Sequence, residues 1–371
     1  MSIMINLNKI IRRSVLHTER KHIRLKLSER ENYVRLDLNE NVLDLDTDLF
    51  NEFVSDLTPE MLSAYPDLSN VYTEMAAFLG VSEDELILTN GSDLAIKCLY
   101  DACIEKGDQI IVHDPYYLMY DFYARFSEAE LISVPVGADW QPDLTAMYAN
   151  VTEKTKMVVI EAPNGNIGTQ PLHKELRQLA AQLEQRNVLL VIDEAYHHVI
   201  SNESVNIDLI WEFSNVIIIR TLSKVFGLAG ARVGMLIGNK TIVHELYKVR
   251  PLYEISMLSA QAARWRLAHT PLLNTYQQEI STAKVKLIEG LNRIDIPSKT
   301  TYGNFIIIYF PDVDGVDLYT LLKSHNVLIG KKYDLPTLQG WWRITLGNEQ
   351  HHEKLLAALS AVRQQSISLS K

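Results

Sequence analysis

The chain alternates short apolar runs with segments of helical period over most of its length. Most of these runs are apolar throughout, as expected of strands that are buried on both faces. Leucines that recur at helical spacing between two of the runs predict a helix that crosses from one strand to the next. The pattern therefore predicts an α/β fold with a mainly parallel sheet. The seven predicted strands span residues 85–89, 109–112, 131–136, 157–160, 188–192, 216–219 and 235–237.

The pattern changes after about residue 270. A long polar stretch of helical period reaches Asn292, and apolar runs at 305–310 and 343–346 flank a further helical segment. Asn348 is a suitable N-cap for a last helix with an apolar face. We expect a large domain of residues 51–265. Residues 1–50 and 266–371 are expected to form a smaller α+β domain.

Composition and charge exclude several classes of protein. The 371 residues carry 36 Lys plus Arg and 46 Asp plus Glu, a net charge of −10, without a run of five basic residues. This balance argues against nucleic acid as a partner, and no uncharged apolar window is long enough to predict a membrane span. Cys98 and Cys103 have no nearby set of ligands, so we expect reduced thiols and no metal site. Because the amino end lacks the features of a signal peptide, we expect a cytoplasmic protein.

The segment RTLSKVFGLAGARVG, residues 220–234, directly follows the predicted strand 216–219. A lysine held at the end of a buried strand is poorly solvated, which makes its amine available for a Schiff base, and Lys224 is the candidate. The hydroxyls of Thr221 and Ser223, the Arg232 guanidinium and the glycines between them suit a phosphate group.

This segment resembles the lysine motif of pyridoxal-phosphate enzymes of the aspartate aminotransferase fold, above all the histidinol-phosphate aminotransferase branch. Further motifs follow in the family's order between Leu38 and Gly347. The resemblance implies a transferase of fold type I, with a seven-stranded sheet in the large domain. It also implies that the cofactor is pyridoxal 5'-phosphate, bound to Lys224 as a Schiff base. The substrates would be an amino acid and a 2-oxo acid.

The resemblance assigns further residues to the cofactor. Asp193 ends an apolar run, and a buried carboxylate there needs a cation, which the protonated pyridine nitrogen would provide. Tyr196 matches the tyrosine that bonds the ring oxygen, and Tyr117 matches the residue that stacks on the ring. Core packing is the better explanation for Tyr120. The turn that would hold the phosphate at a helix start consists of Gly91, Ser92 and Asp93.

Three residues are assigned to the substrate cleft and the partner subunit. Arg343 begins an apolar strand and matches the arginine that binds the substrate α-carboxylate. Asn39 lies in a segment that resembles the lining of the same cleft. Tyr65 matches a tyrosine that reaches the cofactor phosphate of the neighbouring subunit, which implies a homodimer with shared active sites.

The loop PNGNIGT, residues 163–169, departs from the family's Pro-Asn-Asn-Pro-Thr-Gly. Either Asn164 or Asn166 is the candidate for the asparagine that contacts the cofactor ring. We favour Asn166, because its separation from Asp193, 193 − 166 = 27 residues, resembles the family spacing.

Two further departures concern the substrate. Gly330 stands where the histidinol-phosphate branch has a phosphate-binding arginine, and neither Lys331 nor Lys332 offers the same bidentate fork. Glu254 replaces an asparagine near the pocket, and a carboxylate there would disfavour a phosphate. Histidinol phosphate is therefore not the first expectation for the substrate.

Transamination is the expected reaction, through the Schiff base of Lys224. A decarboxylase, a lyase and an oxygen-dependent amino-acid oxidase use the same cofactor and remain alternatives, because the cofactor motifs do not decide which bond breaks. A catalytically silent binding protein is less favoured, since the chain keeps both Lys224 and Asp193.

Overall fold

The computed structural model describes residues 6–19, 26–43, 45–199, 206–313, 315–330, 332–333 and 335–369. The strands are β1 (Val34–Leu36), β2 (Leu86–Asn90), β3 (Gln109–Asp114), β4 (Glu130–Pro135), β5 (Thr155–Glu161), β6 (Leu189–Asp193), β7 (Val216–Thr221), β8 (Val233–Gly238), β9 (Ser298–Lys299), β10 (Phe305–Tyr309), β11 (Val327–Ile329) and β12 (Trp341–Thr345).

The α-helices cover both faces of the main sheet and surround the smaller sheets. They are α1 (Leu7–Ile10), α2 (Arg13–Leu16), α3 (Leu27–Arg30), α4 (Thr47–Ser55), α5 (Glu60–Ser63), α6 (Ser69–Leu79), α7 (Gly91–Cys103), α8 (Leu118–Phe126), α9 (Leu144–Ala149), α10 (His173–Glu184), α11 (Leu209–Glu212), α12 (Lys240–Leu246), α13 (Met257–Ala268), α14 (Pro271–Arg293), α15 (Leu318–Ser324) and α16 (Glu349–Leu369).

The main sheet has seven strands in the order β2-β8-β7-β6-β5-β3-β4. β8 is antiparallel to both of its neighbours, and the other adjacent strands are parallel. Each of the seven predicted apolar runs forms one of these strands, with ends within two residues of the prediction. The predicted crossover helix is α10, which lies between β5 and β6 in the chain. The α/β fold prediction is therefore confirmed.

The strands are apolar throughout because each side of the sheet is covered by a separate apolar core. In β7, Val216 and Ile218 belong to one core cluster, and Ile217 and Ile219 belong to the other. All four side chains have no solvent-exposed surface. Successive side chains of a strand point to opposite faces, so a strand covered on both sides loses the alternation of apolar and polar residues.

The chain after residue 270 forms two small sheets. β10 pairs antiparallel with β9 and β12, while β1 pairs parallel with β11, so a segment near the amino end joins the carboxyl-terminal third. α14 packs against α16, where Gly290 lies beside Leu356. The division into residues 51–265 and the two flanking segments stays a prediction.

The parallel strands bring their carboxyl ends to one edge of the main sheet. β3, β5, β6 and β7 end at Asp114, Glu161, Asp193 and Thr221. In open α/β sheets, ligands bind in the crevice outside these ends. We therefore expect the predicted site residues to lie in the loops that follow these strands.

Three further findings on the described part of the chain concern membrane helices, metal clusters and the cysteines. No helix there is long and apolar enough to cross a membrane, and no cluster of His, Cys, Asp and Glu there is suited to a metal ion. Cys98 is buried and Cys103 is half-buried. Burial raises the pKa of each thiol to about 11, so both are protonated at neutral pH.

Candidate active site

Lys224 follows the carboxyl end of β7 by three residues. Its Nζ donates a hydrogen bond to the carbonyl of Leu38 at 3.2 Å and lies 5.3 Å from the centre of the Tyr196 ring. The side chain is half-buried, so it is less shielded from water than the sequence predicts. No carboxylate of the described residues lies within 4 Å of this amine.

Asp193 ends β6 and is 5% exposed. Its Oδ2 accepts a hydrogen bond from the Tyr120 hydroxyl at 2.8 Å, and its Oδ1 accepts one from the Ala195 amide at 3.1 Å. Burial raises its pKa to about 6. No Lys, Arg or His of the described chain lies within 4 Å of this carboxylate. A buried carboxylate with two neutral donors and no cation matches the need of a protonated pyridine nitrogen.

Tyr120 packs in the core, as the sequence analysis predicts, but that analysis missed the contact that its hydroxyl makes. Its ring is fully buried in the core, but its hydroxyl contacts Asp193 directly. Nothing in the spacing of the aromatic residues distinguishes it from its neighbours. Its role depends on how α8 is placed over the end of β6, which the sequence does not state.

Tyr196 and Asn39 connect the main sheet to the small sheets. The Tyr196 hydroxyl accepts a hydrogen bond from Asn39 Nδ2 at 2.9 Å. Asn39 is fully buried, with its backbone amide 2.9 Å from Thr345 Oγ1 and its Oδ1 3.0 Å from the same hydroxyl. Asn39 thus holds the Tyr196 hydroxyl beside β12, close to the cleft that the sequence predicts.

The start of α7 forms a recess together with Arg232. The Gly91 amide donates to the carbonyl of Arg232 at 3.0 Å, and a Cβ on Gly91 would lie 2.3 Å from Arg232 Nη2. Asp93 accepts from Arg232 at 3.2 Å and from the Tyr117 hydroxyl at 2.8 Å. A helix start with free amides beside a guanidinium is suited to a phosphate. The Arg232 guanidinium lies this close to the helix start because position 91 has no side chain, and Ser92 follows in the same turn.

Thr221 and Ser223 lie beside this recess and are both 7% exposed. Thr221 Oγ1 is 2.9 Å from Ser223 Oγ and 3.1 Å from the carbonyl of Val233. The two hydroxyls therefore face each other between β7 and β8. The Thr221 proton is directed at Ser223 Oγ and the Val233 carbonyl, whereas the Ser223 hydroxyl donates no hydrogen bond within the described residues and is available to a ligand acceptor such as a phosphate.

The loop after β5 uses its two asparagines differently. Asn164 is 1% exposed, donates to the carbonyl of Pro115 at 2.8 Å and accepts from the amides of Asn166 and Ile167 at 2.8 and 2.9 Å. Its side chain holds the loop together. The Asn166 side chain is half-buried and makes no hydrogen bond within the described residues.

Glu161 is a buried acidic residue that the sequence analysis missed. It ends β5 opposite Asp193 and is 5% exposed. Burial, and then the neighbouring Asp193, raise its pKa to about 8. The available signal was a single acid at the end of an otherwise apolar strand, the same pattern that identified Asp193.

Arg343 lies on β12 and points towards the loop after β5. Its Nη1 donates to the carbonyl of Gly165 at 2.6 Å and its Nη2 to the carbonyl of Asp37 at 3.1 Å. Its buried Nε has no hydrogen-bond partner in the described chain. No carboxylate there lies within 4 Å of this guanidinium, so its charge is available to a ligand carboxylate.

Gly330 packs directly against Arg343. A Cβ on Gly330 would lie 2.8 Å from the Arg343 carbonyl and 3.0 Å from its Cβ. An arginine at this position would therefore displace Arg343. Lys332 forms an ion pair with Asp312, and Lys331 lies outside the described residues.

Glu254 does not act as the sequence analysis expected. It is 4% exposed, pairs with Arg250 and accepts a hydrogen bond from the Tyr72 hydroxyl at 2.6 Å. Its charge is neutralised within the fold. The expectation that it would repel a substrate phosphate is wrong, because the sequence pattern does not show the arginine and tyrosine that surround it.

Tyr65 lies apart from these residues within the chain. It is 81% exposed and stacks on Tyr253, with ring centres 4.7 Å apart and planes inclined by 13°. Neighbouring Leu62 and Leu252 are 76% and 77% exposed. A group of apolar side chains this exposed is typical of a protein interface.

Comparison with known proteins decides the family. The model of the family "Aminotransferase class I and II" matches residues 32–359. The chain belongs to this family. It is a pyridoxal-phosphate-dependent aminotransferase, as predicted. Transamination is therefore favoured over the decarboxylase, lyase and oxidase alternatives.

The curated relatives of this aminotransferase include histidinol-phosphate aminotransferases. That of Chromobacterium violaceum is 30% identical over 335 residues, which cover 89% of this chain and 92% of the relative. "Histidinol-phosphate aminotransferase 1" of Trichormus variabilis is 30% identical over 308 residues, with coverages of 82% and 85%.

Solved structures share the fold of this aminotransferase. Histidinol-phosphate aminotransferase from Sinorhizobium meliloti, in complex with pyridoxal-5'-phosphate, has a TM-score of 0.84 at 20% identity, with 95% of this chain and 97% of that chain covered. Aspartate aminotransferase from Thermus thermophilus with maleate has a TM-score of 0.75 at 19% identity, with coverages of 91% and 94%.

β8 packs so closely against the start of α7 that a methyl group at position 234 is expected to be destabilising. A Cβ on Gly234 would lie 2.4 Å from the Gly91 carbonyl carbon and 2.5 Å from the Ser92 nitrogen, which are backbone atoms. We expect Gly234→Ala to lower the free energy of unfolding of the apoenzyme by about 2 kcal/mol. We also expect it to weaken cofactor binding.

Gly230→Ala is the matched control, since a Cβ there meets nothing within 4 Å. Its free energy of unfolding should stay within about 0.5 kcal/mol of the wild type. Urea unfolding of both variants measures the difference. Equal unfolding midpoints for the two variants would show that the turn at Gly91 adapts without cost.

Proposed function

We propose that this aminotransferase holds its cofactor on Lys224 and takes an amino donor whose free carboxylate binds Arg343. The observation that carries the proposal is a set of uncompensated charges. Lys224, Asp193 and Arg343 are each without an oppositely charged partner within 4 Å in the described chain. The cationic pyridine ring would complement the buried Asp193 carboxylate. Anionic groups of the ligands would complement the two positive groups, Lys224 and Arg343.

The residues present fit the cofactor. Its pyridine ring supplies an electron sink when bound. Asp193 would hold the proton of the ring nitrogen, Tyr196 would donate to the ring oxygen, and Tyr117 would cover one face of the ring. The phosphate would bind at the recess, whose members are Gly91, Ser92, Asp93, Thr221, Ser223 and Arg232.

Asn166 is the better candidate for the asparagine that contacts the ring. The Asn164 side chain is engaged by three backbone groups of its own surroundings. Asn166 keeps a free side-chain amide within the described residues. This agrees with the spacing argument, which also favoured Asn166.

Lys224 is proposed to move the substrate proton. Among the described residues, its Nζ is the amine that lies over the Tyr196 ring, and it makes one hydrogen bond, to the carbonyl of Leu38. Such an amine can accept a proton from the substrate Cα and return it to a different atom. Arg343 would hold the amino donor in place through the carboxylate of that donor. Asn39 lines the same cleft through its contact with Tyr196.

The proposed substrates are an amino acid and a 2-oxo acid. Arg343 offers a fork for a carboxylate, whereas Gly330 offers no cation to a phosphate. We further propose a cytoplasmic homodimer in which Tyr65 of each subunit reaches the other's site. The exposed aromatic pair of Tyr65 and Tyr253 supports an interface at this surface.

Borohydride reduction of the enzyme with its cofactor should label Lys224. The reduced linkage is stable, so peptide mapping locates it. We expect Lys224→Ala to lose both the label and the activity. Lys284→Ala is the control, because Lys284 is also half-buried and also donates to a carbonyl, that of Thr301 at 3.1 Å. A label on any lysine other than Lys224 would contradict the proposal.

Arg343→Ala should raise the KM for an amino-acid donor by about thirtyfold or more, because one partner of a charge pair is removed. Cofactor affinity should change little. Steady-state kinetics with a panel of amino acids and histidinol phosphate measures the effect. Arg264→Ala, which removes a half-exposed partner of Glu74, is the control. Loss of the cofactor from Arg343→Ala would show that this residue has another role.

Leu252→Glu should convert the dimer to a monomer, because it places a charge in the exposed apolar group around Tyr65. Sedimentation velocity gives the mass of each species. Leu172→Glu, at an exposed position at the start of α10 that makes no ring contact with the Tyr65 group, should leave the dimer intact. A monomeric wild type would overturn the shared active site.

A further inference from the structure

Glu161 is a buried carboxylate at the centre of the site. It pairs in register with Asp193 on the neighbouring strand, and both are 5% exposed. No Lys, Arg or His nitrogen of the described chain lies within 4 Å of its carboxylate oxygens, while its backbone amide donates to His113 Nε2 at 3.0 Å. Two buried acids side by side are costly to ionise, so packing alone would favour an apolar residue here.

Both oxygens of Glu161 accept hydrogen bonds from backbone amides. One accepts from the amide of Tyr117, in the loop after β3. The other accepts from the amide of Gly165, in the loop after β5, at 3.0 Å. A single side chain thus fixes the two loops that follow neighbouring parallel strands.

Gly165 extends this connection towards the substrate cleft. Its carbonyl accepts from Arg343 Nη1 at 2.6 Å and from Asn39 Nδ2 at 3.4 Å. A Cβ on Gly165 would lie 2.9 Å from Tyr196 Cε2, so the residue has no room for a side chain. One residue, Gly165, therefore connects the carboxyl group of Glu161 to the guanidinium of Arg343, through its amide on one side and its carbonyl on the other.

We propose that Glu161 is a positioning residue which fixes the Tyr117 backbone and the Arg343 guanidinium relative to each other. The proposal rests on the proposed function of these two residues, the first at the cofactor ring and the second at the substrate carboxylate. The Tyr117 hydroxyl is already held by Asp93 at 2.8 Å. Glu161 holds the other end of the same residue and so determines where its ring lies.

Glu161→Gln tests the proposal because it keeps the length of the side chain but replaces one acceptor oxygen with a donor. An NH2 group cannot accept the amide proton of Tyr117 or Gly165, so one of the two loops is released. We expect the KM for the amino donor and the Kd for pyridoxal phosphate each to rise about tenfold. We expect kcat to change less.

A double-mutant cycle with Arg343→Ala separates positioning from general stability. If Glu161 acts on the substrate through Arg343, Glu161→Gln should have no further effect on the donor KM once Arg343 is removed. Additive effects in the cycle would overturn this part of the proposal. If Arg343→Ala alone leaves the donor KM unchanged, the proposed function is wrong instead, and the cofactor Kd then decides the role of Glu161.

The visible circular dichroism of the bound cofactor gives a readout that does not depend on activity. A shifted Tyr117 ring should change the sign or amplitude of this band. Glu184→Gln is the matched control, because Glu184 also accepts a backbone amide from another loop, that of Ser214 at 2.7 Å, but both residues precede the amino ends of β6 and β7, whereas Glu161 lies at the carboxyl end of β5. It should change neither the band nor the donor KM.

Glu161→Asp keeps the experiment decisive if Glu161→Gln does not fold. The shorter side chain keeps both acceptor oxygens but draws them back, so it cannot reach both amides. It should give the same rise in KM and Kd as Glu161→Gln. A variant with unchanged KM, Kd and dichroism, and with only a lower unfolding temperature, would show that Glu161 is structural and overturn the proposal.

Discussion

The Asp193 carboxylate is the group on which the arrangement of the site depends. The parallel strands around β6 place it at a fully desolvated edge of the sheet, and its contacts with the Tyr120 hydroxyl and the Ala195 amide leave its charge uncompensated. A cation from outside the described chain would relieve this cost while the carboxylate stays ionised. Cofactor binding and stability are therefore linked, because a ligand that binds only the folded chain stabilises it.

The net charge of the chain is negative, whereas the site contains cationic groups. The chain as a whole carries ten surplus negative charges, which describe its outer surface. Inside the cleft, Lys224 and Arg343 have no carboxylate partner among the described residues, while Arg232 stands at a helix start. The cleft thus attracts small anions in an otherwise acidic protein. The Asp193 carboxylate lies where the ring nitrogen is expected.

The sequence predicted the sheet well because buried parallel strands are apolar throughout, a pattern that other elements rarely share. It also proposed Lys224, Asp193 and Tyr196 as site residues, since each lies at or just after the end of such a strand, and their roles stay predictions. It did not predict the surroundings of Glu254 or Tyr120, because their partners are distant in the chain. Tyr72 bonds Glu254 across 182 positions and Asp193 lies 73 positions from Tyr120.

The altered loop after β5 follows from the use of backbone groups in this site. Position 165 lies so close to the Tyr196 ring that only glycine fits. Its amide donates to Glu161 and its carbonyl accepts from Arg343, so the backbone of this residue makes both contacts without a side chain. Contacts made by backbone groups do not require a particular side chain, so the sequence does not reveal them. A loop motif can therefore change while the positions of the groups around the ligand are kept.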